Sequence, residues 1–304
     1  MMTQHTAIEC PLCGGNDTSH FTDCTDHAVS NETYSLQRCG SCGLIFTIAP
    51  PDSQDKQTYS KLDQELNRAD NPRKRLDRLY YYARILNIRR KIRLIERLTR
   101  VSSGKLLNYG AKSGYFSSRM TDRGWKVTSL EEYHEQRIFS LEMFHHRMMD
   151  IDEIDSLPPG SFDAVTLWHT LEHQEDPHTL IEKLIRLLKP NGLLFAAVPN
   201  TDSLDAAWYG SQWAAWDVPR HLLHFNTTSM IRFGLAHNLV LMHHERMPFE
   251  AFYIPMLSEK FKGNRHPIIT GAVRGLKFWH KTNTDREKSS SIVYVFRKNM
   301  IDYI

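Results

Sequence analysis

Phe162-Asp163-Ala164-Val165-Thr166-Leu167-Trp168-His169-Thr170-Leu171-Glu172-His173 passes from an apolar run into a polar turn. A run this short, ending in turn residues, has the length of a buried strand. Asp176-Pro177 follows, then a helical stretch, then Leu188-Lys189-Pro190-Asn191-Gly192 and a second apolar run, Leu193-Leu194-Phe195-Ala196-Ala197-Val198, closed by Pro199-Asn200. Strand, helix and strand in this order make a parallel β-α-β unit.

Working outward, the same alternation continues in both directions. Strands are expected at 105–109, 126–131, 163–168, 192–198, 239–246 and 291–297, and helices at 114–123, 135–146, 175–188 and 227–236. A weakly patterned strand around 145–150 would be the third of seven. The expected fold class is α/β, a doubly wound, mostly parallel, seven-stranded Rossmann-like sheet over 104–304. Residues 249–281, rich in aromatic and basic residues, read as an insertion before the last strand, Ile292-Val293-Tyr294-Val295-Phe296. In such sheets ligands bind where strand ends turn into helix N-termini.

A separate module precedes the sheet. Cys10-Pro11-Leu12-Cys13-Gly14 and Cys39-Gly40-Ser41-Cys42-Gly43 are two C-x2-C pairs, 25 residues apart, each followed by glycine. One such turn presents two thiolates to one ion, and two complete a tetrahedral zinc site. Residues 1–50 are therefore expected to be a small zinc ribbon with Cys10, Cys13, Cys39 and Cys42 as structural ligands. Cys24, His20 and His27 are expected to be bystanders. The glycines let the chain turn back on the sulfurs.

Between the two units, 51–103, the sequence reads as a polar linker after Ala49-Pro50-Pro51-Asp52, then a lead-in helix over 72–100. Its apolar positions are Leu76, Leu79, Tyr80, Ala83, Leu86, Ile88, Ile92 and Ile95. Residues 71–100 hold eleven Lys and Arg against Asp77 and Glu96. A solvated face, a clamp for an anionic substrate, a membrane surface and a nucleic-acid footprint all suit that charge. With 41% hydrophobic and 24% charged residues the composition is that of an ordinary globular protein. No stretch reaches the ~20 apolar residues of a spanning helix, and the first residues lack the pattern of a secretory signal. The expectation is a cytoplasmic protein.

The turn Leu107-Asn108-Tyr109-Gly110-Ala111-Lys112-Ser113-Gly114 resembles the first motif of S-adenosylmethionine (SAM) methyltransferases. Gly110 and Gly114 stand at its first and third glycines, while Asn108 replaces the usual acidic residue and Lys112 the middle glycine. Residues 162–200 resemble the fourth and fifth strands of the methyltransferases related to the ubiquinone-biosynthesis O-methyltransferases. Trp213, Asp217, Pro219-Arg220-His221 and His224-Phe225 are similar to a pattern of bacterial members that carry an N-terminal zinc module, often in sugar or cell-envelope biosynthesis. The resemblance spans roughly 5–50 and 104–246. It implies SAM as cofactor, contacted by Asn108, Gly110, Gly114, Glu131, Asp150 and Trp168. It also implies a small-molecule acceptor, with Trp213 and Arg220 against it.

Methyl transfer from a sulfonium needs alignment and exclusion of water, and an oxygen acceptor also needs a base. His221 is the first candidate, then His169 and His173. The basic helix and Arg220 favour an anionic acceptor such as a nucleotide-linked sugar. Plainer roles stay open: Glu172 and His173 also suit caps of the following helix, Trp168 a core aromatic, and His224 a structural histidine. Two rival functions stay open as well. One is an RNA methyltransferase using the ribbon and basic helix, against which stands the lack of an Asn/Asp-Pro-Pro-Tyr motif. The other is a degenerate binding or assembly module, motivated by Asn108 and Lys112.

Overall fold

The computed structural model describes residues 8–48 and 75–299, with side chains from residue 83 onward in the second stretch. The Pro-rich exit at 49–52, the linker to 74 and the apolar positions Leu76, Leu79 and Tyr80 lie outside the described side chains.

Three short strands, β1 (Thr18–Thr25), β2 (Thr33–Cys39) and β3 (Ile45–Thr47), form an antiparallel meander. Then α1 (Arg75–Thr99) leads into β4 (Lys105–Tyr109). The next units are α2 (Tyr115–Asp122), β5 (Lys126–Leu130), α3 (His134–Phe144), β6 (Phe162–Trp168), α4 (Pro177–Leu187) and β7 (Leu188–Pro199). A short helix α5 (Leu204–Tyr209) precedes β8 (Leu223–His224), α6 (Thr227–Ala236) and β9 (Leu239–Arg246). A hairpin of two helices, α7 (Glu250–Phe261) and α8 (Pro267–Lys281), connects β9 to the last strand, β10 (Ser291–Lys298).

The main sheet has the order β5-β4-β6-β7-β10-β9. β5, β4, β6 and β7 pair in parallel, and β10 is antiparallel to both its neighbours. The order reverses between β4 and β6, so their C-terminal ends open the crevice where doubly wound sheets bind ligands. Strand alternation sorts the core onto two faces. Leu106, Ala164, Phe195 and Val295 pack with Ile88, Ile92 and Ile95 of α1, while Leu107, Val165, Leu194 and Ala196 pack with Leu180 and Leu184 of α4.

The expected third strand is corrected by the structure. Only Met149 bridges to Leu130, leaving six strands and one isolated bridge rather than seven strands. The physical reason is Asp150. Its side chain accepts from the Asp152 amide at 3.2 Å while Glu153 reaches back to the Asp150 amide at 2.9 Å. That capping box turns the chain into a 3-10 helix before a second ladder residue can pair.

The cysteine-bearing sheet is not a free appendage. β3 pairs with β8 through Ile45↔His224 and Phe46↔Leu223, giving the order β1-β2-β3-β8. Cys10, Leu12, Leu44 and Phe46 share one buried cluster with Leu222, Phe225 and Phe233. The four sulfurs of Cys10, Cys13, Cys39 and Cys42 lie within 4.8 Å of one another, with 3.6 Å from Cys10 to Cys42 and from Cys13 to Cys39. Tetrahedral zinc at about 2.3 Å from each sulfur needs edges of about 3.8 Å, so the donor set fits that ion. Gly14 and Gly43, at φ +66° and +80°, supply the left-handed turns behind each pair. Cys24 stands apart, its thiol pushed up to about 12 by burial.

Because the two sheets share a core, zinc removal is expected to destabilise more than the first fifty residues. Elemental analysis should find one zinc per chain. Cys39→Ser should abolish it and lower the unfolding free energy of the whole cooperative unit by more than ~3 kcal/mol. A lost zinc with an unchanged main unfolding transition would contradict the shared core.

Candidate functional site

A cavity of about 510 Å³ opens at the C-terminal ends of β4, β6 and β7, within the size range of small-molecule sites. Its floor is the turn after β4, with Asn108, Gly110, Ala111 and Lys112, and the turn after β6, with Trp168, His169 and His173. Arg220 and His221 stand on one side, Arg84, Asn87 and Lys91 of α1 on another. Phe249, Glu250, Tyr253 and Ile254 at the start of α7 roof it. The cysteine module adds His27, stacked on Phe261 with ring centroids 4.6 Å apart. The buried Asp26 carboxylate holds that loop through the amides of Ala28, Val29 and Ser30. His27, expected as a bystander, is thus part of the wall.

The turn after β4 keeps the shape of a glycine loop with a lysine in it. Gly110, Lys112 and Gly114 have φ of +69°, +52° and +82°, so Lys112 adopts a conformation that costs most residues about 1 kcal/mol. Its exposed side chain reaches the cavity rim. Asn108 is buried and engaged at both ends: its amide donates to Ser117 Oγ at 3.0 Å, and its carbonyl accepts from Thr166 Oγ1 at 2.9 Å. An amide can bridge these two hydroxyls without burying a charge.

Glu131, at the end of β5, accepts from the backbone amides of Lys112 at 2.6 Å and Tyr133 at 3.1 Å. Burial raises its pKa against the effect of those amides. Its carboxylate lies behind the loop, outside the cavity lining. Gly114 caps α2, and Asp150 pairs with Arg137 at 2.7 Å, both also outside the lining. Trp213 is core, 2% exposed, its indole donating to Asp205 at 3.0 Å. Trp168 does line the cavity, edge-on to Phe116, and its buried indole N–H has no partner among the described residues.

The histidines divide into two kinds. His169, at φ +53°, donates from Nδ1 to Glu172 Oε1 at 3.2 Å and faces Glu250 Oε1 with Nε2 at 3.4 Å. Burial alone would lower its pKa, but the two carboxylates outweigh it and the net shift is upward. Burial would likewise raise the fully buried Glu172, yet His169 and the neighbouring imidazoles bring it to about 2.

His173 and His221 instead spend Nδ1–H on backbone carbonyls, of Arg220 at 3.0 Å and Ala215 at 2.9 Å. A carbonyl only accepts, so each ring donates through Nδ1 and Nε2 is the nitrogen left for other partners. The rings meet edge to face at 4.7 Å, and their nitrogens and a Glu172 oxygen lie within 4.8 Å of one another. Burial and the proximity of His221 press His173 down to about 4, so it is neutral at physiological pH. Asp217 Oδ2 sits 3.5 Å from His221 Nε2. His224 donates from Nε2 to Thr47 Oγ1 at 3.0 Å, across the seam between the two sheets. Neither Glu172 nor His173 caps α4; Asp176 does, accepting from the Thr179 amide at 3.0 Å.

The sequence signal for α1 was its charge, and the structure divides that charge. Arg90 and Arg97 turn away to Glu245, at 2.6 and 2.8 Å. Lys91 turns inward, its Nζ 4.4 Å from the Trp168 ring centroid, with burial pushing its amine down to about 8. Glu250, Tyr253 and Phe249 carry no motif, and only their proximity in space identifies them.

Residues 81–244, more than half of the chain, match a family model described as a methyltransferase domain. The chain belongs to that family. A ubiquinone biosynthesis O-methyltransferase of Xanthomonas campestris pv. campestris (strain B100) is 32% identical over 130 residues, 40% of this chain and 54% of that protein. The chain thus spans about half the length of the curated relatives it matches. Among solved structures, the [4+2]-cyclase SpnF aligns at 18% identity with a TM-score of 0.55, covering 83% of this chain and 98% of that one. The Burkholderia thailandensis 1,6-didemethyltoxoflavin-N1-methyltransferase, bound to S-adenosylhomocysteine, aligns at 12% identity with a TM-score of 0.50, covering 90% and 99%. At such identities these structures establish the shared class I methyltransferase fold.

Imidazole NMR should show the two kinds of histidine. His169 is expected to titrate above its ordinary value of 6.5, and His173 to stay neutral until pH nears about 4. Glu172→Gln should drop the His169 value. Since the folded His169 value is raised, the stability lost in that variant is greatest below pH 6.5 and vanishes as pH rises through the folded value. An unmoved His169 titration would contradict the ion pair.

Proposed function

We propose that this protein transfers a methyl group from SAM to a small anionic acceptor, with His221 as general base. The observation that carries the reading is the meeting, in one cavity at the switch point of the sheet, of a glycine-type loop, Trp168 and two imidazoles, His173 and His221, each held at Nδ1 by a backbone carbonyl. SAM would lie against Gly110, Ala111 and Trp168, supplying an activated methyl group. A ribose contact from Glu131 would require its carboxylate to release the Lys112 amide.

Ala215 holds Nδ1 of His221, which leaves Nε2 as the base nitrogen, and Asp217, paired with Arg220 and 3.5 Å from that nitrogen, would stabilise the imidazolium that forms. His173, held the same way by Arg220, is the alternative base. His169 is a positioning residue in this reading, since carboxylates face both its nitrogens. The roof of α7 excludes water from the transfer.

The charge of the lining supports an anionic acceptor. Arg84, Lys91, Lys112, Arg220 and Lys260 face only Asp217 and Glu250 there. A nucleotide-linked sugar or a phosphorylated envelope precursor has the matching chemistry. Four free thiols grouped to hold a metal agree with action in the cytoplasm. The inward turn of Lys91 and the pairing of Arg90 and Arg97 speak against a nucleic-acid footprint on α1.

Calorimetric titration of the zinc-loaded protein should give micromolar binding of both SAM and S-adenosylhomocysteine. Absence of both would reassign the fold to a binding module. With a panel of nucleoside-diphosphate sugars, His221→Ala should lower kcat by roughly 10²–10⁴ while SAM affinity holds. Lys91→Met should raise KM for charged acceptors more than for neutral ones. Activity lost on mild chelation with the four-cysteine zinc retained would reassign Glu172, His173 and His221 to holding a catalytic cation.

A further inference from the structure

The α7–α8 hairpin has two faces, and only the inner one belongs to the cavity. On α8, Ile268, Ile269, Val273 and Leu276 are 49%, 67%, 49% and 59% exposed. At 100° per residue Ile269, Val273 and Leu276 fall within about 60° of one another, on one ridge, with Ile268 to one side of it at the first turn. The face turned to α7 carries glycine instead. A β-carbon on Gly271 would lie 2.4 Å from Met256 Cα, and one on Gly275 2.5 Å from the Ala251 carbonyl oxygen. The helix therefore packs by backbone approach and sends its large aliphatic side chains outward, the reverse of an ordinary surface helix.

Charge borders the ridge. Residues 260–281 contain six Lys and Arg and no Asp or Glu. Arg274 is used internally, 2.5 Å from Glu259, and Lys260 lines the cavity, but Lys262, Arg265, Lys277 and Lys281 are exposed. Among the described residues no helix is long and apolar enough to cross a membrane.

We propose that the outer face of this hairpin lies on an anionic lipid surface. An aliphatic ridge flanked by lysines is the pattern of a helix that rests in the headgroup layer, where apolar burial and attraction to acidic lipids add. A second copy of the chain fits less well. A two-fold contact would set the same lysines against their own images with no acidic partner in the segment. The inference does not depend on which acceptor the cavity takes.

Vesicle flotation of the zinc-loaded full chain tests it. Vesicles with roughly a third phosphatidylglycerol should carry the protein, and pure phosphatidylcholine vesicles should not, with binding falling as salt rises. Ile269→Glu with Leu276→Glu should weaken partitioning roughly ten-fold or more without moving the unfolding midpoint, because both side chains are exposed. Lys277→Glu with Lys281→Glu should do the same while keeping the ridge. No partitioning at low salt, or equal partitioning by both variants, overturns the proposal. So does a concentration-dependent dimer in sedimentation that the ridge variant abolishes, which would assign the face to a second copy.

Discussion

The Glu172 carboxylate is fully buried at the turn after β6, where an isolated charge would be prohibitive. Its surroundings explain how it is tolerated. His169 donates to it, His173 and His221 approach it, and its backbone carbonyl accepts the Leu222 amide at 2.8 Å. That last bond ties the switch-point turn to the segment entering β8, which pairs with the cysteine-bearing sheet. The buried side chain thus fixes His169 and keeps a charge near His173 and His221, while the backbone of the same residue joins the switch-point turn to the seam between the two sheets. Removing the carboxylate would leave the His169 Nδ1–H without its partner in a buried corner.

The zinc-ribbon sequence, which reads as a separate unit, becomes structurally a wall of the same cavity. β3 pairs with β8, Thr47 donates to the His221 carbonyl at 2.8 Å, and His27 reaches the lining. The metal, if bound as the sulfur geometry allows, stabilises the strand that holds the segment of the proposed base. No separation between a structural and a chemical part survives at that seam.

The alternation that defines the sheet was legible because its strands are buried on both faces and its helices are amphipathic. Boundaries at β4, β9 and α6 match the periodicity. The third strand failed because Met149 pairs once before Asp150 and Glu153 cap a turn, a local competition that the apolar pattern does not register. Asn108, Gly110, Trp168, His169, His173, Arg220 and His221 do meet around one cavity, whereas Gly114, Glu131, Asp150 and Trp213 lie outside its lining. Trp213 shows why. A tryptophan beside a polar loop suits a ligand and a core equally well, and Asp205 decides for the core. The contributions of Lys91, Glu250 and His27 depend on contacts with Trp168, His169 and Phe261, 77, 81 and 234 residues away in the chain, beyond the reach of any local motif.

The loop that carries His27 is suspended between two anchors, the grip of Asp26 on its amides and the cysteine sheet behind it. The Ser30 hydroxyl also donates to Asp26, at 2.8 Å, but neither anchor involves the side chains of His27 and Ala28. Those two residues can therefore change without disturbing the sheet or the imidazoles, while each change alters what lines the cavity at its mouth. Selection acting on such a loop can retune acceptor choice in small steps, leaving the chemistry beneath it inherited intact.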